Sequence, residues 1–158
     1  MRALMYTLLA ALILVALVVG GWYAFIRSVE TPPHELLRKD GPFEVRSYPA
    51  LLAAEVERRG PRQRAVERGF GPLAGYIFAK KRSGEKVAMT APVTQTRAAG
   101  ETWRVRFIMP QKYTKASLPK PGDEDVEIVE IPPRTVGAVR FSGRADDDMF
   151  ETQEAELQ

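Results

Sequence analysis

Few residue types in this chain can do covalent or metal chemistry. Its 158 residues include no cysteine and a single histidine. Without thiolates there are no disulfides, no thiolate metal sites and no cysteine nucleophile. His34 follows Pro32 and Pro33 in a stretch that reads as a linker, so it is expected to be a solvated histidine. A Ser-His-Asp hydrolase needs its histidine inside the fold. Metal-dependent hydrolysis would lack histidine and cysteine ligands, leaving carboxylates such as Asp123, Glu124 and Asp125, which read as a turn. A carboxylate pair on strands stays open as acid–base machinery. The inventory points to binding rather than catalysis.

The charge pattern narrows the partners. Lysine and arginine number 23 against 20 acids, for a net charge of +3. Two of the bases, Arg2 and Arg27, flank residues 3–26, which carry no charge. Setting those two aside leaves 21 bases against 20 acids, too even a balance for a nucleic-acid binder. As a helix, residues 3–26 would extend about 36 Å, enough for a hydrocarbon core of about 30 Å. Trp22 and Tyr23 suit an interfacial aromatic belt. The run exceeds the roughly 7–15 residues of a signal-peptide core, and Trp22, Tyr23 and Phe25 occupy the place of a small-residue cleavage site. The expectation is an uncleaved anchor over residues 1–27 that meets the lipid bilayer through residues 3–26. Because long domains translocate largely regardless of charge, the soluble part is expected outside the cytoplasm.

Residues 28–42 carry Pro32, Pro33, Gly41 and Pro42 and read as a linker or short helix. A domain is expected over 43–158. Phe43–Tyr48 and Ala50–Glu57 read as strands interrupted at Pro49 and stopped by Gly60-Pro61. Ala65, Val66, Phe70, Leu73 and Ile77 recur at helical spacing, with Gly71-Pro72 expected to kink or restart the helix. Lys86–Thr94 and Trp103–Met109 read as further strands. A shift of 83 residues lays Phe43–Gly60 over Val126–Gly143, matching Glu44 with Glu127, Pro49 with Pro132 and Gly60 with Gly143. The order strand, proline break, strand, glycine stop recurs, which reads as a duplication. Asp146, Asp147 and Asp148 would open the second copy's helix, over 146–158. Counterparts of the strands at 86–94 and 103–109 would fall beyond Gln158, so the expectation is a C-terminally truncated domain with exposed sheet edges.

The stretch Ser83-Gly84-Glu85-Lys86-Val87-Ala88-Met89-Thr90-Ala91-Pro92-Val93-Thr94 resembles the hallmark of the SOUL haem-binding protein family. Phe43-Glu44-Val45-Arg46-Ser47-Tyr48-Pro49, Arg68–Ile77, Val105-Arg106-Phe107-Ile108-Met109-Pro110 and Leu118-Pro119-Lys120-Pro121 agree with it. The resemblance covers about residues 42–150. It implies an α+β fold: a distorted antiparallel β-barrel or sheet, two flanking helices and pseudo-two-fold halves. It also implies reversible, non-covalent, non-catalytic binding of haem or another tetrapyrrole. Haem needs an apolar slot, often an axial ligand, and cations for two propionates. Some members carry a candidate histidine ligand where this chain has Ser47, so binding without an axial histidine is expected. Phe70, Leu73, Ile77, Met89, Phe107 and Met109 are the cradle candidates, and Arg46, Lys86, Arg106 and Lys112 the propionate candidates. Met89 and Met109 could offer thioether sulfur, and Tyr48, Tyr76 and Tyr113 phenolate, though each reads more simply as core or core edge. The rival reading is a module for other amphipathic or cationic molecules, like effector-binding domains of transcription regulators. There Glu44 and Glu127 would be the residues to examine.

Overall fold

The computed structural model describes residues 2–143 and 146–157; in the N-terminal helix it describes the side chains of Tyr6 and residues 11–23. The chain divides into two compact units, Met1–Glu30 and Thr31–Gln158. The first is a helix, α1 (Arg2–Ser28), whose described side chains are all exposed. Among the described residues no helix is long and apolar enough to cross a membrane. The expected transmembrane helix therefore gains no support here. The side chains of Arg2 and Arg27, and Gln158, lie outside the described residues.

The second unit holds seven strands and two helices: β1 (Glu35–Asp40), β2 (Phe43–Tyr48), β3 (Leu51–Arg59), α2 (Arg62–Ile77), β4 (Val93–Arg97), β5 (Thr102–Ile108), β6 (Glu127–Ile131), β7 (Arg134–Val139) and α3 (Asp147–Glu156). The strands make a three-stranded sheet, β1-β2-β7, and a four-stranded sheet, β4-β5-β3-β6. Of the expected barrel or sheet, the described residues form two antiparallel sheets and no closed barrel. The reason lies in the prolines. β2 and β3 run antiparallel to β7 and β6 as two arms of one ribbon, with paired residue numbers adding to 182 from Phe43–Val139 to Tyr48–Arg134 and from Leu51–Ile131 to Glu55–Glu127. Pro49 on one arm and Pro132-Pro133 on the other fall in the gap between the two ladders. Proline donates no hydrogen bond, so the ladder stops on both arms and the ribbon divides into two sheets.

That register also tests the duplication. An antiparallel ribbon has a local two-fold axis, and a fixed register alone permits that axis anywhere along it. The 83-residue offset requires it between residues 49 and 50 on one arm and between 132 and 133 on the other, which is the proline gap. The same operation carries β2 to β6 and β3 to β7, so the pair β2·β7 maps onto β6·β3.

Several local expectations change. The segment read as a linker or short helix contains β1, joined to β2 by the turn at Gly41-Pro42, where Gly41 has φ +55°. Of the expected 86–94 strand, Val93 and Thr94 fall in β4, which runs on to Arg97 as the edge neighbour of β5. α2 continues through Pro72 without a restart, and Arg68, whose carbonyl loses that bond, lies on the solvent side where water can replace it. α3 opens as expected: the Asp146 side chain accepts from the Met149 amide at 3.0 Å. The main core lies between α2 and the four-stranded sheet, with Ala54, Val56, Leu73, Ile77, Val105 and Phe107 at its centre.

Candidate functional site

α2 positions the expected cradle, but that cradle divides. Leu73, Ile77, Phe107 and Met109 are 0%, 1%, 5% and 4% exposed and belong to the core. They fasten α2 to the sheet and are not available to a ligand. A helical apolar stripe serves a core and a cradle with the same spacing, which is why the sequence could not separate them. Phe70 and Met89 remain open, at 44% and 46%. The Phe70 ring meets that of Phe107 edge-on at 5.2 Å, and Val93, opposite Phe107 on β4, is also exposed. Two residues along the same face of β4, the Gln95 side-chain oxygen is buried with no donor among the described residues.

The expected propionate partners are mostly committed elsewhere. Arg46 holds Glu44 at 2.6 Å, and Arg106 is paired with Glu55. Lys112 sits over the Tyr113 ring at 5.1 Å, and Lys86 is exposed. Ser47 pairs with Glu35 and Thr135 in the three-stranded sheet.

Instead, the outer side of α2 borders a cavity of ≈ 300 Å³ lined by Gly71, Pro72, Gly75, Tyr76, Lys80, Lys81, Arg82, Gly122 and Asp123. The helix residues facing it are small or apolar, and the loop after α2 supplies three cations. Their roles differ. The Arg82 guanidinium donates to the Tyr76, Ser83 and Glu85 carbonyls and stands over the Tyr76 ring, so it braces the loop. Lys81 donates to Asp123 at 3.0 Å, and that hydrogen bond holds the Asp123 carboxyl below its usual range. The Lys80 ammonium, exposed at the rim, has no ion-pair partner among the described residues. The floor is rigid. The Tyr76 hydroxyl donates to the Pro119 carbonyl at 2.9 Å, and burial pushes its pKa up. A Cβ at Gly122 would lie 1.9 Å from the Lys81 carbonyl oxygen, so only glycine lets these two loops meet. Nothing in the sequence pattern joins 80–82 to 122–123; the fold does.

His34 is also relocated. β1 and β2 pair as Glu35–Ser47 and Leu36–Arg46, which sets His34 opposite Tyr48, and their rings lie 5.2 Å apart. Tyr48 also receives Arg46 Nη1 at 3.4 Å. The two glutamates of the rival reading fall in different sheets. Lys39 and then Arg46, through hydrogen bonds, hold the Glu44 carboxyl at about 2, while Glu127 is exposed on β6. A glutamate already engaged by two cations is a poor receptor for a cationic ligand.

Residues 29–158, from ahead of β1 to the end of the chain, match the family model of the SOUL heme-binding protein. The mouse (Mus musculus) protein Heme-binding protein 2 is 28% identical over 118 residues, which cover 70% of this chain and 57% of the mouse protein. The chain thus spans a little over half the length of that relative. With the family model covering the whole of the second unit, the chain belongs to the SOUL haem-binding family.

Proposed function

We propose that this domain reversibly binds haem or a related tetrapyrrole, without covalent attachment and without catalysis, against the outer side of α2. The observation that carries this reading is the cavity beside Gly71, Pro72 and Gly75 with Lys80 and Lys81 at its rim. At ≈ 300 Å³ it is at the small end of ligand pockets, so it suits the carboxylate-bearing edge of a macrocycle rather than the whole ring. The ring's apolar face would then lie along the helix surface that ends at the exposed Phe70. Met89, the other exposed cradle candidate, is the next residue to probe there. The lining suits binding without an axial ligand: it offers no histidine, cysteine or methionine, and the Tyr76 hydroxyl is already engaged. With no cysteine in the chain, thioether attachment has no partner.

We further propose that α1 is a membrane anchor carrying the domain outside the cytoplasm. The uncharged run 3–26 and the exposed apolar side chains at 12–15 and 17–19 support this reading.

Titrating the full-length chain with haemin tests the first proposal. A saturable Soret shift at micromolar haemin is expected. Lys80→Glu together with Lys81→Glu should weaken it roughly ten- to a hundredfold, the scale of a lost charge-assisted hydrogen bond of about 1.5–3 kcal/mol. No Soret shift, or one indifferent to both lysines, rejects this site.

A further inference from the structure

We infer that β4 is the seam of a symmetric dimer, in which two copies of this chain pair their β4 strands antiparallel about a two-fold axis at Gln95. It starts from an acceptor without a donor. The Gln95 side-chain oxygen is buried, and no hydrogen-bond partner for it exists among the described residues. Buried polar atoms are nearly always paired, so this one marks a place where a partner belongs. Gln95 lies opposite Val105, whose Cγ2 stands 2.9 Å from where a Cβ on Gly69 would be. Its side chain is therefore on the α2 face of the sheet. β4 is the outer strand there, with β5 as its one strand neighbour among the described residues. A second copy can reach Gln95 from the open side, and a rotamer change, common on association, turns each amide toward the seam.

The backbone of β4 is set for this pairing. The Ala98 amide donates to the Thr102 carbonyl at 2.8 Å, in the register that pairs Thr96 with Arg104 and Thr94 with Arg106. Bonding direction alternates along an antiparallel ladder, so Val93, Gln95 and Arg97 point their N–H and C=O groups away from β5. Laid antiparallel on itself over its full length, β4 matches Val93 with Arg97, Thr94 with Thr96, and Gln95 with its own copy. The outward residues then exchange about six backbone hydrogen bonds. No like charges meet. On the α2 face the two Gln95 amides stand side by side, and each oxygen accepts from the other's Nε2. On the opposite face Thr94 meets Thr96, a favourable cross-strand pair. The Arg97 guanidinium stands over its own Trp103 ring at 5.1 Å, which leaves its stem to cover the exposed Val93 of the copy. A residue that faces itself implies a closed two-fold pair rather than an open chain of copies. The other outer strands are less suited. β1 has a bulge between Leu36 and Arg38, β6 exposes Glu127 and Glu130, and β7 is interrupted by Gly137. β4 keeps an unbroken register with β5 and carries one charge, at its end.

The seam needs no ligand, so its test is independent of the α2 cavity. Sedimentation of the full-length chain in detergent micelles should show a dimer at micromolar concentration. Gln95→Lys, which sets two like charges face to face, should weaken that dimer at least tenfold. A monomeric wild type, or a dimer indifferent to Gln95→Lys, overturns the inference. Because the chain has no cysteine, introduced thiols report the register. Val93→Cys chains mixed with Arg97→Cys chains should cross-link under mild oxidation, since opposed residues with Cα atoms about 5.5 Å apart are within disulfide reach. Either variant alone should not, because its two thiols would stand about four residues, or roughly 14 Å, apart. Cross-links formed equally well within one variant overturn the register and with it the seam. If Gln95→Lys does not fold, the thiol pattern decides alone, and the absence of the mixed cross-link overturns the inference.

Discussion

Glu44 shows how one carboxylate can set the pH response of a sheet face. Hydrogen bonds from Lys39 and Arg46 hold its pKa at about 2, against an ordinary value of 4.5. The depressed value belongs to the folded state, so the stabilisation is complete above about 4.5 and disappears as pH falls toward 2. Glu44 and Arg46 are half-buried at the surface and Lys39 is exposed, so solvent screens the group and the effect on stability is modest and salt-dependent. Comparing melting temperatures of wild type and Glu44→Gln across this range should show a constant gap above pH 4.5 that closes by pH 2. A gap that does not change with pH would mean the carboxylate contributes through packing. The sequence made Glu44 visible through its match with Glu127, but not its partners. Lys39 reaches it only because β1 exists, and Arg46 only because alternate residues of β2 share a face.

The elements divide by how their pattern arises. β2, β3 and α2 were legible because alternation, proline breaks and helical spacing are local signals. β1 was not, because Glu35–Asp40 is exposed along its whole length and has no alternation to read; pairing with β2 makes it a strand. The loss of β1 from the reading also hid the setting of His34. α2 shows a second limit, since its glycines look alike in sequence and differ in the fold. A Cβ on Gly69 would stand 2.9 Å from Val105 Cγ2 and 3.0 Å from Val56 Cγ2, so this glycine is what lets α2 approach β3 and β5. Gly75 has nothing within 4 Å. Gly69→Ala should therefore destabilise the domain by about 1–3 kcal/mol through overpacking. Gly75→Ala should stabilise it by about 0.4–1 kcal/mol through lower unfolded-chain entropy, while narrowing the proposed cavity and weakening haemin binding. Denaturant unfolding of the two variants checks the opposite signs, and equal effects would show that α2 does not pack as described.

At the scale of the molecule, the two arms of the β2–β3 and β6–β7 ribbon can be compared directly. The 83-residue offset, taken with the strand register, places the ribbon's two-fold axis at the proline gap. Symmetry nevertheless ends at the ribbon. β3 is enclosed by β5 and β6, whereas its counterpart β7 has β2 as its one strand neighbour among the described residues. The helices differ likewise: α2 buries Ala65, Gly69, Leu73, Tyr76 and Ile77, and α3 buries none of its described residues. The two halves should therefore have unequal local stability, because opening free energy follows buried contacts and two-sided hydrogen bonding. Amide exchange measures this directly. Amides of β3 should exchange only through near-global unfolding, while those of β7 that do not bond to β2 should be less protected by at least roughly tenfold, or about 1.4 kcal/mol. The three-stranded sheet would then yield first, taking Tyr48 and His34 with it before the α2 cavity is disturbed. Equal protection in β3 and β7 would mean that β7 has a second neighbour in solution and that its open edge is covered.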